Sequence, residues 1–111
     1  MFQFESQGAV EVLSPETALN HENIDKLSEA FAAKSFAGQP MVVLDMSRVA
    51  LVDSAALEAL LDIQKQLRES AGTLKVSGLT QLVEDVFRIT GLAERFETYP
   101  NTKAAVGSFV K

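Results

Sequence analysis

Phe2-Gln3-Phe4-Glu5 and Ala9-Val10-Glu11-Val12-Leu13 show partial alternation of apolar and polar residues on either side of Ser6-Gln7-Gly8. Alternation around a glycine-bearing turn predicts an antiparallel β-hairpin. Ser14-Pro15 breaks the pattern. From Asn23 onward Ile24, Leu27 and Phe31 fall at i, i+3 and i+7, the spacing of one helix face. Gly38 and Pro40 are placed to end that helix.

Met41-Val42-Val43-Leu44 is an apolar run too short for a helix and bounded by Pro40 and Asp45, which predicts a central strand buried on both faces. Leu57, Leu60, Leu61 and Leu67 then share a helix face, with Gly72 positioned to stop it. Thr73 to Ser77 alternates as a strand. Leu79, Leu82, Val83, Val86 and Phe87 form the stripe of another amphipathic helix, closed by Gly91. Phe96 to Tyr99 reads as a brief extended piece, and Val106, Phe109 and Val110 as the apolar side of a last helix.

Strands alternating with helical segments imply right-handed crossovers onto a parallel sheet, with the hairpin adding antiparallel pairing. The expected fold is α/β: a small, mixed, mostly parallel sheet with an N-terminal β-hairpin and about four helices. A chain of 111 residues without repeat or linker fits one domain, residues 1–111.

Charge is distributed unevenly. Residues 1–55 hold 3 basic and 8 acidic residues and residues 56–111 hold 7 of each, so the net −5 comes from the first half. No cluster of Lys and Arg offers a nucleic-acid footprint. The apolar runs fall far short of the ~20 residues that cross a bilayer, so no membrane insertion is expected. The first basic residue is Lys26, which leaves no charged region of an export signal. The absence of cysteine excludes disulfides and thiolate sites and suits a cytoplasmic location. Gly-x-x-x-x-Gly-Lys, Gly-x-Ser-x-Gly and His-Glu-x-x-His motifs are missing, and the lone His21 sits among polar residues. Glu84, Asp85 and Asp62 fall opposite the apolar stripes, as solvated positions do. The expectation is a protein that is not an enzyme and needs no metal or cofactor.

Ligands and partners of open α/β sheets are met at loops beyond the carboxyl ends of parallel strands. The loop to examine is therefore Asp45 to Ser54. Asp53 and Ser54 open the helix that carries Leu57, and both are good N-cap residues. Unpaired backbone N–H groups and the positive dipole end would surround whichever side chain points outward. From residue type alone, Ser54 is either a cap or a functional hydroxyl, and Asp53 either a cap or a polar contact for a partner.

Met41-Val42-Val43-Leu44-Asp45-Met46-Ser47-Arg48-Val49, Val52-Asp53-Ser54-Ala55-Ala56-Leu57 and Leu74-Lys75-Val76-Ser77-Gly78, followed by Val86-Phe87-Arg88-Ile89-Thr90-Gly91-Leu92, resemble the STAS family. That domain is shared by bacterial anti-sigma-factor antagonists and the cytosolic tails of sulfate transporters. The resemblance covers nearly the whole chain and implies an antagonist that works by binding. Its partner would be both anti-sigma factor and serine kinase, and it would phosphorylate the serine at Ser54. The unmodified form would bind that partner and free the sigma factor, and a serine phosphatase would restore the cycle. The implied docking surface comprises Asp53, Ser54, Ala55, Ala56 and Glu58.

Three stretches depart from the family pattern. Ala55 and Ala56 stand where a small residue and glycine usually follow the phosphoacceptor. Val12-Leu13-Ser14 stands where Glu-Leu-Asp is common, and Glu58 adds a negative charge one turn after Ser54. The alternative implied by the same resemblance is a constitutive scaffold or accessory subunit, of a stressosome or a lipid-transporting ATPase, that uses the helix without phosphorylation.

Overall fold

The computed structural model describes residues 2–36 and 38–110. The chain runs β1 (Phe4–Gln7), β2 (Val10–Leu13), α1 (Ile24–Ala33), β3 (Met41–Asp45), α2 (Ser54–Glu69), β4 (Thr73–Ser77), α3 (Gln81–Thr90), a 3-10 turn (Leu92–Glu94), β5 (Thr98–Tyr99) and α4 (Thr102–Gly107). The strands form one sheet in the order β1-β2-β3-β4-β5, in which only β1 and β2 pair antiparallel. The expected mixed, mostly parallel sheet with its hairpin and four helices is the fold observed. Each parallel pair is joined by one helix, and the right-handed rule for such crossovers stacks α1, α2 and α3 on one face.

Side-chain alternation along the strands divides the interior into two layers. Leu13, Val42, Leu44, Leu74 and Val76 meet Leu27, Phe31, Leu57, Leu60, Ile63 and Phe87 of the three stacked helices. Val10, Val12 and Val43 point the other way and are covered by Ala105, Val106 and Phe109 of the C-terminal segment. That second face also holds Lys75. Its Nζ donates to Ser108 Oγ at 2.7 Å, lies 4.0 Å from the centre of the Phe109 ring and is 3.6 Å from a Glu97 carboxylate oxygen. A buried ammonium needs such partners to offset its lost hydration.

Several local details differ from the pattern-based expectation. The hairpin turn is the pair Gly8-Ala9, and Ser6 and Gln7 belong to β1, because Gln7 pairs with Val10. Helix α1 stops at Ala33, with Lys34 already extended, before Gly38 and Pro40 are reached. Helix α2 is turned off by Ala71 in the left-handed region at φ 57°, and not by a glycine there. Gly72 serves a different need: a Cβ on it would lie 2.8 Å from the Cβ of Pro40. Leu57, Leu60 and Leu67 are buried as expected, but Leu61 is only half-buried and Ile63 and Gln64 take its place inside. Gln64 is tolerated because its Nε2 donates to Arg95 O at 2.6 Å. On α3, Val83 and Phe87 are buried while Leu82 is exposed. Helix α4 ends at Gly107, so Phe109 and Val110 lie beyond it, and Val110 is exposed.

Candidate functional site

The loop between β3 and α2 is held by alternating anchors. Asp45 Oδ1 accepts from the Ser47 N–H at 3.0 Å and its Oδ2 from Ser14 Oγ at 3.1 Å. Met46 and Val49 are fully buried, and Thr80 Oγ1 donates to Val49 O at 3.4 Å. Gly78, at φ +68°, lets the β4–α3 turn press against this loop, since a Cβ there would meet Ser47 Cβ at 3.0 Å. Further along, Leu19 N–H donates to Leu51 O at 3.1 Å and Asp53 N–H to Leu19 O at 3.3 Å. These two bonds lay the β2–α1 loop alongside the residues that open α2.

Asp53 is the N-cap of α2, with extended backbone angles and Oδ1 accepting from Ala56 N–H at 2.9 Å. Its carbonyl takes the Leu57 N–H at 3.1 Å. The second carboxylate oxygen accepts from the His21 N–H at 2.9 Å and lies 3.2 Å from His21 Nδ1. The Ala56 N–H, followed by that of His21, holds the Asp53 carboxyl below its ordinary pKa. A carboxyl whose pKa is depressed on folding adds stability above its unfolded value, about 3.9, and loses it as pH falls through the folded value. Asp53→Ala is therefore expected to be less stable than wild type at pH 7, with the gap narrowing below pH ~4. Denaturant titrations at pH 7 and pH 3 measure it, and a gap of equal size at both would contradict the capping role.

Asp53 caps, and Ser54 is the first residue inside the helix, exposed, with no hydrogen-bond partner for its hydroxyl among the described residues. Ala55 is half-buried and Glu58 is exposed one turn on. Ala56 differs from its expected place on the docking surface: its side chain is fully buried against the core, so it contributes its backbone N–H to the cap and no side-chain contact to a partner. His21, expected from sequence as a solvated residue among polar neighbours, is exposed and bonded to Asp53. Its place beside Asp53 comes from the Leu19–Val52 bridge, a long-range pairing with no local signal.

Among the described residues no group of three or more His, Cys, Asp or Glu side chains could hold a metal ion, and no helix is long and apolar enough to cross a membrane. A surface depression of about 270 Å³ lies between α1 and α2, lined by Phe31, Phe36 and Leu67 among others. The start of α2 is thus polar, with Asp53 half-buried in its capping bonds and Ser54 and Glu58 exposed.

The STAS domain model matches residues 1–105. BtrV of Bordetella bronchiseptica, named as a candidate anti-sigma factor antagonist, is 34% identical over 91 residues, which are 82% of this chain and 78% of that protein. Among solved structures, an anti-sigma-factor antagonist (STAS) domain protein from Planctomyces limnophilus superposes with a TM-score of 0.90 at 20% identity, covering 99% of this chain and 98% of that one. The Bacillus cell fate determinant SpoIIAA, solved in its phosphorylated form, gives 0.74 at 18% identity over 98% and 99%. The two superpositions show a shared fold, and with the STAS model matching residues 1–105 the chain belongs to the STAS domain family.

Proposed function

We propose that residues 1–111 act as one anti-sigma factor antagonist unit, a cytoplasmic binding module without catalytic activity of its own. In this reading the exposed start of α2 docks on an anti-sigma factor that is also a serine kinase, and the sigma factor is released. Phosphorylation of Ser54 by that partner ends the complex, and a serine phosphatase resets it. Ser54, Ala55 and Glu58 supply the surface, while Asp53 holds it in shape from below.

The observation that carries this reading is the division of labour between Asp53 and Ser54. Because Asp53 already satisfies the cap, the Ser54 hydroxyl is free, exposed and dispensable for the helix. A phosphate there sits at the positive end of a helix of 16 residues, where backbone N–H groups and the dipole favour negative charge. The kinship with an antagonist from Bordetella supports the partner class, and a relative solved as a phosphoprotein supports the modification.

Glu58 favours a second reading, a constitutive scaffold, because its charge one turn below Ser54 opposes a phosphate. Gel filtration of the protein mixed with the anti-sigma factor of its own host, with and without bound sigma factor, separates the two. The antagonist reading expects a new complex and free sigma factor, and no complex in either mixture would contradict it.

A further inference from the structure

Helix α3 has a broader apolar arc than the fold uses. Val83 and Phe87 are buried, and Val86 is half-buried against the core, yet Leu82 is 50% and Ile89 78% exposed. At 3.6 residues per turn these last three residues form a continuous strip down one flank of the helix, at i, i+4 and i+7. The neighbouring helix fixes which flank it is. On α2, Ile63 and Gln66 line the depression shared with α1, whereas Gln64 on the other side reaches the Arg95 carbonyl just after α3. The two helices run parallel after crossovers of the same hand, so the same rotational sense turns the Leu82–Val86–Ile89 flank toward α2. Half-buried Leu61 is on the α2 flank that faces it.

The N-terminal end of this strip is tied to the loop that leads into α2. Thr80, the cap of α3, bonds the carbonyl of Val49 in the loop that leads to Ser54. The same loop exposes Leu51, at 56%. Three side chains and a loop leucine are far too little for a stable dimer, since a standard interface buries roughly 800 Å² on each partner. They are enough to extend a larger interface that already includes a polar helix start. A ridge spaced i, i+4, i+7 matches the apolar face of one helix laid along it.

We propose that Leu82, Val86 and Ile89, with Leu51, form the apolar half of the surface that docks the partner at Ser54, and that they receive an amphipathic helix of that partner. The inference rests on the antagonist reading above. It separates two tasks: the apolar strip supplies standing affinity, and Ser54 supplies the switch.

The test is calorimetric titration of the host anti-sigma factor into wild type, Leu82→Lys, Ile89→Lys, Ile89→Ser and Ser54→Asp, with a thermal melt of each. Expected are tenfold or larger losses of affinity for the two lysine variants, a smaller loss for Ile89→Ser, and an Ile89→Lys melting temperature equal to wild type. Should Leu82→Lys unfold, the two Ile89 variants carry the result. Unchanged affinity in both Ile89 variants while Ser54→Asp binds weakly would overturn the strip and leave the switch standing. Loss in the Ile89 variants with Ser54→Asp binding normally would overturn the switch and leave the strip. Absence of binding by wild type would end both. Sedimentation of wild type as a dimer that Ile89→Lys dissociates would assign the strip to a second copy, and flotation with phosphatidylcholine–phosphatidylglycerol vesicles that Ile89→Lys abolishes would assign it to lipid. Either result contradicts the proposal.

Discussion

Phosphate on Ser54 is expected to lower affinity for the anti-sigma partner by 100-fold or more while leaving the fold intact. In the free protein the group is exposed at the first residue of α2, where the dipole contributes about 0.3–1 kcal/mol in its favour. The capping bonds of Asp53 to Ala56 and Leu57 do not involve the Ser54 hydroxyl, so adding roughly two negative charges removes nothing that holds the helix. In a complex the same group would be pressed between two proteins beside Asp53 and Glu58. An uncompensated buried charge costs several kcal/mol, and each ~1.4 kcal/mol is tenfold in affinity. Titration calorimetry of the partner with wild type, Ser54→Ala and Ser54→Asp reads the effect, with circular dichroism as the control for folding. Ser54→Ala should bind like wild type. Equal affinity for all three would place affinity outside this position.

Leu60→Ala is expected to cost ~2–5 kcal/mol of stability. Leu60 is fully buried between α2 and the sheet, and Leu44 and Val76 belong to the same cluster. Truncation leaves a cavity that surrounding β-sheet cannot collapse to fill. Leu61→Ala should cost clearly less, because Leu61 is half-buried on the flank of the helix. Urea titrations of both variants check the pair. Equal losses would mean that α2 sits rotated from the orientation described, and no loss at Leu60 would remove it from the core.

The difference between those two leucines illustrates what periodicity can and cannot resolve. Counting apolar residues on α2 favours Leu61 over Gln64, yet Gln64 is the more buried because the Arg95 carbonyl offers it a hydrogen bond from 31 residues away. Ala56 misleads for a related reason. Two residues after Ser54 in sequence, it lies at the inward angle of the helix, and its small side chain hid that it belongs to the core. Alternation in β4 sends Lys75 away from the helices correctly, but no local feature foretells that Ser108 and Phe109 will close over it. Leu82 joins an apolar stripe by spacing, and only the packing of α3 shows that the stripe is wider than the buried face.

The mixed, mostly parallel sheet and the position of the Asp53–Ser54 helix start were legible because they follow from rules with little freedom. Apolar runs bounded by proline and aspartate make strands, amphipathic spacings make helices, and right-handed crossovers leave few ways to join them. Asp53 and Ser54 could not be told apart by type, since either is a good cap. Asp53 takes the role with two separate oxygens, Oδ1 accepting from Ala56 of its own helix and Oδ2 from His21 of the β2–α1 loop, a span that the single oxygen of a serine does not offer.

The central claim is that Ser54 is the phosphoacceptor of an antagonist cycle, and the most direct measurement is site mapping. The protein is incubated with the host anti-sigma factor kinase and ATP, digested, and its phosphopeptides are sequenced by mass spectrometry, with Ser54→Ala treated in parallel. The account predicts phosphate on Ser54 of wild type, removed by a serine phosphatase, and none on the variant. Phosphate confined to another residue, or none on wild type under conditions in which the kinase is active, would contradict it.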